Sequence, residues 1–545
     1  MNGRKSAFVA GVFAPNLPDM RAIFLALLLT AQPVLAAPYD VVEKDITTLQ
    51  ADLAAHRTTS VELVRAYQQR IAALDHAGPH LNSVLILNPD AMAQAQALDH
   101  ERAAQGARGP LHGIPILIKD NIETADPMPT TAGSLALATS MPRRDAPVVA
   151  RLRAAGAIIL GKTNLSEWAN IRSTHSISGW SGIGGLTHNP YVLDRSTCGS
   201  SAGSGAAVAA SLAAAALGTE TNGSLVCPGS FNGIVALKPT VGLVSRSHVI
   251  PISHTQDTPG PMTRTVTDAA LLLEVMAGSD PADAATASAD TNRRPYAAAL
   301  EKGASSGKRL GVIIPPGMTP TDKLFARALE TLRAAGAEIV PVPDFTTPAD
   351  MTQNQATVLN FELKSDMGAY LASLPPGGPK SLGDLIAFNA SSARELAVFG
   401  QERFEMAATT GTLSDPAYTR AHDVLGAGTR ALIDSTLERY RLDALIRPTA
   451  EPAFRVDAVR GDNIGGSAAG VPAMAGYPHL TVPMGMVDGL PVGLSVIGPA
   501  WSESLLLALG ADFERQAAAR RPPQFLPSLE LPAAAELTPV PYSHH

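Results

Sequence analysis

The stretch from Gly203 to Lys238 restricts the fold more than any other part of the chain. It begins with a nearly unbroken run of small residues, "GSGAAVAASLAAAALG" (203–218), and passes through "ETNGSLVCPG" into the apolar segment "FNGIVALKPT". A helix so rich in alanine offers no polar face to solvent, so it must be buried. We therefore predict a buried helix over 203–218 and a returning strand after it, both inside a large core.

Strand and helix patterns alternate along the rest of the chain. Strands are predicted at "GIPILIKD" (113–120) and "GAIILGKT" (156–163), with the helix "APVVARLRAAG" before the second. Residues 40–110 read as helices, and "TTSVEL" offers a helix cap. After 355–440, which is mostly helical, core strands return at "LDALIRPT", "GVPAMAGYPHLTVPMG" and "LPVGLSVIG". This alternation predicts an α/β fold, a single large domain with a mixed β-sheet covered by helices on both faces.

The N-terminus has the composition of an export signal. From Met20 the chain reads "MRAIFLALLLTAQPVLAAPYD", with one arginine, a short apolar run and small residues where export peptidases cut. The run is too short for a permanent membrane anchor. We predict a leader over 1–37, with Met20 as an alternative start, and a domain over 38–545 in which 306–440 is partly a helical excursion near the substrate entrance. The mature protein is then periplasmic or secreted, with no stable membrane insertion.

Composition excludes several classes of protein. With 545 residues, 46% hydrophobic and 17% charged, the chain is not a disordered one. A net charge of −7 without a basic block gives no support for nucleic-acid binding. Two cysteines, Cys198 and Cys227, are too few for a disulfide framework or a zinc site, although in an oxidising compartment they could form one bridge. The oligomeric state and that bridge stay open.

Three short motifs match known patterns in the wrong context. "GAIILGKT" spells a phosphate-binding loop, but its middle residues are the predicted strand itself. "GSSAG" spells a nucleophile elbow around Ser201, but a polar segment precedes it where an elbow needs a strand. "SSGK" (305–308) lies in a charged linker. The elbow keeps one alternative open, a Ser-His-Asp hydrolase of the α/β-hydrolase type.

Candidate catalytic residues lie in three segments that are far apart in the sequence. Lys119 ends an apolar strand, Ser200 and Ser201 lie at a glycine-rich turn that opens a buried helix, and Ser224 lies at a second such turn. Each is more often structural when taken alone. Together they suit a serine nucleophile activated by a lysine base through an intermediate hydroxyl.

The motifs in their order resemble the amidase signature family. The resemblance covers about residues 40–275, from "GIPILIKDNI" through "CGSSAGSGAAVAA" and "GTETNGSLVCPG" to "PISHTQDTPGPM", and resumes over 471–498. Within the family the chain is most similar to the bacterial peptide-amidase branch. The resemblance implies an amidohydrolase that cleaves carboxamide C–N bonds through a seryl acyl-enzyme, acting on peptide C-terminal amides or on small aliphatic or aromatic amides. It implies no metal and no cofactor.

The resemblance also implies roles for individual residues. Ser224 is the nucleophile, Ser200 is the bridging serine that follows a cis peptide, and Lys119 is the base. The backbone N–H groups of the turn form the oxyanion hole, and three further residues support the site. The oxyanion-hole residues are Thr221, Asn222, Gly223 and Ser224; the supporting residues are Ser201, Asp120 and Thr240.

One further alternative within the family is a non-catalytic relative or a component of an assembly, such as the amidotransferase component that feeds ammonia to a partner. The export signal argues against that role, because such partners are cytosolic. The presence of Lys119, Ser200 and Ser224 argues against a dead homologue.

Overall fold

The apolar segments form one large mixed sheet. The computed structural model of the protein describes residues 1, 3–12, 39–313, 318–345, 348 and 350–529. The strands found there are β1 (Val84–Leu87), β2 (Pro115–Lys119), β3 (Ile158–Thr163), β4 (Trp180–Ser181), β5 (Gly185–Leu186), β6 (Ala215–Glu220), β7 (Val235–Lys238), β8 (Thr258–Thr263), β9 (Arg309–Val312), β10 (Glu338–Pro341), β11 (Ala444–Pro448), β12 (His479–Val487) and β13 (Leu490–Ile497).

Helices fill most of the connections between these strands. One begins where the sequence predicts a cap, because Thr59 and Glu62 form a reciprocal capping box at its start. The helices are α1 (Ile46–Ala54), α2 (Ser60–Arg70), α3 (Ala91–Gln105), α4 (Pro147–Ala154), α5 (Ala202–Ala209), α6 (Val226–Phe231), α7 (Val266–Met276), α8 (Ala289–Asn292), α9 (Pro320–Ala334), α10 (Met351–Ser373), α11 (Leu382–Ser391), α12 (Glu402–Ala408), α13 (Pro416–Tyr440), α14 (Gly470–Ala475) and α15 (Glu503–Ala517).

The strand order brings two carboxyl ends together. The main sheet runs β1-β3-β2-β6-β8-β7-β12-β13-β11-β9-β10, while β4 and β5 pair only with each other. Strand β2 is parallel to both β3 and β6, and Ile118 pairs with Leu217. Parallel neighbours end at the same edge of a sheet, which is where open α/β sheets carry their sites. Lys119, the last residue of β2, therefore lies beside the end of β6.

The sheet is covered on both faces, as the sequence predicts for an α/β protein. Every residue of β2, β6 and β8 is buried, so side chains pointing to either face are shielded from solvent. Helix α5 approaches its neighbours closely because its residues are small. A Cβ on Gly203 would come within 2.4 Å of the carbonyl oxygen of Ser83, so no larger side chain fits there.

Three local predictions are wrong. The helix predicted over 203–218 ends at Ala209, and its second half turns into strand β6. Strand β1 lies within the segment predicted as helices, where "SVLILN" pairs with β3. The segment "GVPAMAGYPHLTVPMG" is not strand throughout, because its first part is helix α14.

The chain from Asp40 onward forms one compact unit. The segment 306–440 contributes strands β9 and β10 to the main sheet. The helical part of this segment that follows them therefore begins at α10. The described residues of Met1–Tyr39 form no helix or strand. The predicted export signal falls on residues outside the described ones. No helix of the described part is both long and apolar enough to cross a membrane.

Candidate active site

Lys119 is a fully buried lysine at the end of β2. Its Nζ lies 2.7 Å from Oγ of Ser200 and 2.8 Å from Oγ1 of Thr219. Burial lowers the pKa of Lys119 from its ordinary value of 10.5 to about 7, although the carboxylates of Asp257 and Glu220 act in the opposite direction. A lysine with such a pKa has a substantial neutral fraction at neutral pH and can accept a proton from a bound hydroxyl.

Ser200 is held rigidly opposite this lysine. It follows a cis peptide bond from Gly199, as the family resemblance implies, and its carbonyl oxygen accepts a hydrogen bond of 3.0 Å from the N–H of Ser166. The space around the bond is closed, because a Cβ on Gly199 would lie 2.1 Å from Oγ of Ser166. Ser200 thus contacts Lys119 from a closely packed loop.

Ser201 faces strand β6 and uses its hydroxyl there. Its Oγ donates to the carbonyl oxygen of Thr219 at 3.1 Å and accepts from the N–H of the same residue at 3.2 Å. No strand runs into Ser201, since residues 187–200 form turns and loops with isolated bridges. The structure thus lacks the strand that the nucleophile-elbow alternative requires, and Ser201 is a structural residue.

Ser224 lies at the end of a tight turn that follows β6. The turn needs a glycine at Gly223, whose φ is +86°, and Glu220 accepts hydrogen bonds from the N–H groups of Leu225 (2.8 Å) and Val226 (3.1 Å) beyond it. The N–H of Ser201 donates to the carbonyl oxygen of Ser224 at 3.2 Å. This contact brings the two serine-bearing turns side by side.

The turn presents unused donors. Among the hydrogen bonds of the described residues, none uses the backbone N–H of Thr221, Asn222, Gly223 or Ser224. The turn itself is fixed from behind, because the hydroxyl of Thr221 donates to Asp257 at 2.6 Å. Backbone N–H groups of this kind are the donors that stabilise a carbonyl oxygen as it becomes negative.

A disulfide joins the two serine-bearing segments. Cys198, two residues before Ser200, is bonded to Cys227, three residues after Ser224. The sequence alone leaves this bridge open, and the structure contains it. The bridge adds a covalent link next to the contact between Ser201 and Ser224.

The remaining predicted residues lie in two different places. Asp120 binds the loop after β2, since its carboxylate accepts from the N–H of Thr131 at 3.2 Å and also from the Thr131 hydroxyl. Burial raises the pKa of Asp120 to about 6. Thr240 is not brought into the hydrogen bonds around Lys119: its N–H donates to Glu503 and its hydroxyl accepts from the N–H of Trp501.

Sequence reasoning missed the residues that complete the lysine's surroundings. Thr219 Oγ1 accepts from Lys119 and also from Nδ2 of Asn121 at 3.0 Å. Asn121 is the last residue of "IKDN" and Thr219 the second of "GTETNGS", so membership of these two motifs was the available signal. Asp257 is buried as well, and burial raises its pKa to about 6.

A cavity of about 340 Å³ adjoins these groups. Thr219, Thr221 and Asp257 form its inner wall, and the segment 249–252 with the sequence Val-Ile-Pro-Ile supplies apolar lining. Asp366 of helix α10 lines it from the helical excursion. The cavity can thus hold an organic group next to the proposed oxyanion donors.

A second buried lysine offers a contrast. Lys162 belongs to strand β3, which is the apolar part of the rejected phosphate-loop motif. Its Nζ donates to the carbonyl oxygen of Ile122 at 2.6 Å and to Oγ1 of Thr130 at 2.9 Å. Burial lowers the pKa of Lys162 to about 8, which the nearby Asp120 partly opposes.

One group of side chains in the described part of the chain has the spacing of a metal site. The ligand atoms of His254, Glu362 and Asp366 all lie within 4.8 Å of one another. They are bonded to protein groups, however: Glu362 accepts from Tyr418 at 2.8 Å and from Thr255 at 2.9 Å, and Nδ1 of His254 lies 2.9 Å from Asp366. These contacts attach the 253–257 loop to helix α10, and we assign them a structural role.

A mixed α/β sheet brings the buried Lys119 together with Ser200 and the turn of Ser224 at one edge, an arrangement that suits an amidohydrolase. Residues 62–507 match the family model for amidase, so the chain belongs to the amidase family, the amidase signature proteins. It is accordingly an amidase, which hydrolyses the C–N bond of amides.

Known relatives cover nearly the whole chain. The native peptide amidase from Stenotrophomonas maltophilia is 49% identical with a TM-score of 0.83, covering 90% of this chain and 100% of its own. An Arabidopsis thaliana protein named as a probable amidase is 37% identical over 517 residues, 93% of this chain and 96% of the relative. One chain of the glutamyl-tRNA(Gln) amidotransferase of Salinispora arenicola is 35% identical over 516 residues, 88% of this chain and 99% of the relative.

Proposed function

We propose that this amidase removes ammonia from the C-terminal carboxamide of peptides, with Ser224 as nucleophile, Ser200 as bridge and Lys119 as base. The observation that carries the mechanism is the contact of 2.7 Å between Lys119 and Ser200, next to the turn that ends in Ser224. The likeness to a peptide amidase over nearly the whole chain supports the substrate.

Proton transfer follows the order of the three groups. Ser200 accepts the hydroxyl proton of Ser224 and passes its own proton to neutral Lys119, since a serine hydroxyl has one proton to donate and two lone pairs to accept. Oγ of Ser224 forms a bond to the carboxamide carbon, and the carbonyl electron pair moves to oxygen. The N–H groups of the 221–224 turn hold that oxygen, and each such donor typically lowers the barrier by about 3–4 kcal/mol.

The intermediate then loses ammonia. Its oxygen re-forms the carbonyl while the C–N bond breaks, and the leaving nitrogen takes the proton that Ser200 returns from Lys119. Water attacks the acyl-enzyme through the same relay and releases the peptide acid. All protons taken up by Lys119 are returned, so the enzyme ends in its starting state.

The cavity supports a peptide as substrate. Its apolar 249–252 wall and its polar inner wall suit an amino-acid side chain next to a polar backbone. A simple amide such as acetamide would leave most of the 340 Å³ empty.

The test is ammonia release from peptide amides and from simple carboxamides by wild type, Ser224→Ala and Ser201→Ala. We expect peptide amides to be preferred, Ser224→Ala to lose at least about 10³-fold in kcat, and Ser201→Ala to retain much of its activity. Full turnover by Ser224→Ala together with an inactive Ser201→Ala would exclude the mechanism. Ammonia release that requires a partner protein would instead favour an amidotransferase role.

We further propose that the protein is exported to the periplasm or secreted. The support is the leader-like sequence after Met20 together with the Cys198–Cys227 disulfide, which is stable in oxidising compartments. N-terminal sequencing of the protein from fractionated cells should give a mature start near residue 38. A full-length protein found only in the cytoplasm would contradict export.

A further inference from the structure

Three side-chain amides form a chain of hydrogen bonds beside the serine turn. Nε2 of Gln256 donates to the carbonyl oxygen of Thr221 at 3.0 Å, and Nε2 of Gln355 donates to Oε1 of Gln256 at 3.4 Å. Nδ2 of Asn222 then donates to Oε1 of Gln355 at 3.1 Å. The chain starts and ends on the turn and passes through helix α10, which carries Gln355.

The direction of this chain is fixed by its first member. A backbone carbonyl can only accept, so Gln256 must present its NH₂ group to Thr221 and its oxygen to Gln355. Gln355 must then present its NH₂ to Gln256 and its oxygen to Asn222. The same rule turns the NH₂ of Asn222 toward Gln355. Amide oxygen and nitrogen have nearly the same shape, but a single fixed acceptor orients all three groups.

The oxygen of Asn222 is left as an acceptor at the end of the chain. Asn222 is exposed, and no donor among the described residues contacts its Oδ1. The residue lies two positions before Ser224, inside the turn whose N–H groups face the carbonyl to be cleaved. A substrate bound to this turn therefore meets an oriented hydrogen-bond acceptor close to its reacting carbon.

We propose that Asn222 is a specificity-determining residue that accepts a hydrogen bond from the N–H next to the terminal carboxamide of a peptide amide. This deepens the proposed function and rests on it. A peptide amide carries this N–H on the carbon adjacent to the carbonyl that is attacked, whereas a simple carboxamide has none. The site thereby selects N-acylamino acid amides as a class, whatever their side chain.

Two substrates of nearly equal shape test the proposal. N-acetyl-leucine amide carries the N–H, and 2-acetoxy-4-methylpentanamide has an ester oxygen in its place. Ammonia release is measured for both, so that ester cleavage does not count. We expect wild type to favour the first by about tenfold in kcat/KM, because a neutral hydrogen bond lost without replacement has an effect of that order.

The variants ask whether Asn222 causes the preference. In Asn222→Ala the ratio of the two kcat/KM values should fall close to one, whatever common loss the change brings. Gln355→Leu should lower the ratio as well, because Asn222 loses the group that orients it. Gln355→Glu keeps an oxygen facing Asn222 but loses the donor to Oε1 of Gln256, so it should keep more of the ratio than Gln355→Leu and less than wild type. Gln353→Leu, at an exposed position of the same helix, is the matched control and should keep it.

The outcomes separate the two proposals. A wild-type ratio near one, or a ratio unchanged in Asn222→Ala, would overturn the role of Asn222 while leaving the amidase reaction in place. No ammonia release by wild type from any peptide amide would instead refute the proposed substrate. Circular dichroism and the turnover of the ester analogue show whether each variant is folded.

Discussion

Lys119 and Lys162 are two buried lysines on neighbouring parallel strands, yet only one adjoins the serine turns. Ile118 pairs with Lys162 across β2 and β3, so the side chains of Lys119 and Lys162 project to opposite faces of the sheet. Burial lowers both pKa values, to about 7 and about 8. Burial alone therefore does not define a base.

The difference lies in what each ammonium group contacts. Lys162 donates to the backbone carbonyl of Ile122, which has no proton to give, and to the isolated hydroxyl of Thr130. Lys119 contacts Ser200, whose neighbour Ser201 donates its backbone N–H to the carbonyl oxygen of Ser224. We therefore propose as the base the lysine whose hydroxyl partner lies beside the turn of Ser224.

The largest expected effect comes from replacing each lysine by methionine. Lys119→Met removes the proposed base, and we expect kcat to fall by at least about 10³-fold, in line with general-base catalysis. Lys162→Met should keep kcat within a few-fold but lower the free energy of unfolding by about 1–3 kcal/mol, because buried acceptors lose their donor. Steady-state kinetics and urea denaturation measure the two effects.

This pair of variants tests directly whether the two lysines have different roles. If Lys162→Met lost as much kcat as Lys119→Met while remaining folded, the two lysines would not differ in role. A Lys119→Met enzyme with near-normal turnover would remove Lys119 from the mechanism.

The disulfide links the two segments that carry Ser200 and Ser224, next to Lys119. Replacing both Cys198 and Cys227 by alanine opens a bridge between residues 29 positions apart, and loop-closure entropy predicts a loss of about 3–4 kcal/mol in the free energy of unfolding. Denaturant unfolding of wild type and variant measures it. A change below about 1 kcal/mol would mean that the contacts of the two turns suffice without the bridge.

The smallest expected effect is a shift in the pH profile. The proposed mechanism needs neutral Lys119, whose pKa is about 7, so kcat/KM should fall about tenfold per pH unit below that value and level off above it. The Asp257 carboxylate raises the pKa of Lys119, so Asp257→Asn should move this limb to lower pH.

Lys162→Met serves as the control for the pH profile. Its limb should stay near pH 7, because Lys162 does not act on the reacting groups. If the acid limb of the pH profile shifted in Lys162→Met and not in Asp257→Asn, the titrating group would be Lys162 and not Lys119.

Much of the fold was predictable because long apolar runs occur in a repeating order. Strands β2 and β3 and the helices between 355 and 440 follow from their patterns. The split of 203–218 into α5 and β6 did not, since alanine has no period that separates a buried helix from a buried strand. There the pairing of β6 with β2 and β8 decides the conformation.

For the site, the sequence indicated Lys119, Ser200 and Ser224, but not how they are held. Thr219 and Gln256 are ordinary polar residues in the sequence, and their roles depend on side chains far away in the chain. Thr240, predicted as a supporting residue, bonds to Trp501 and Glu503. Such partners are set by tertiary packing, which a single sequence does not encode locally.

The chain leaves the sheet after β10 and returns to it at β11, and the described elements between these two strands are all helices. The proposed reacting groups come from the end of β2, the loop before α5 and the turn after β6, whereas α10 supplies Gln355 and part of the cavity wall. Part of the selectivity, the orientation of Asn222 by Gln355, therefore comes from a stretch of chain separate from the one that carries the proposed reacting groups. Exchanging the segment between β10 and β11 with that of another family member offers a way to transfer substrate preference while the reaction stays the same.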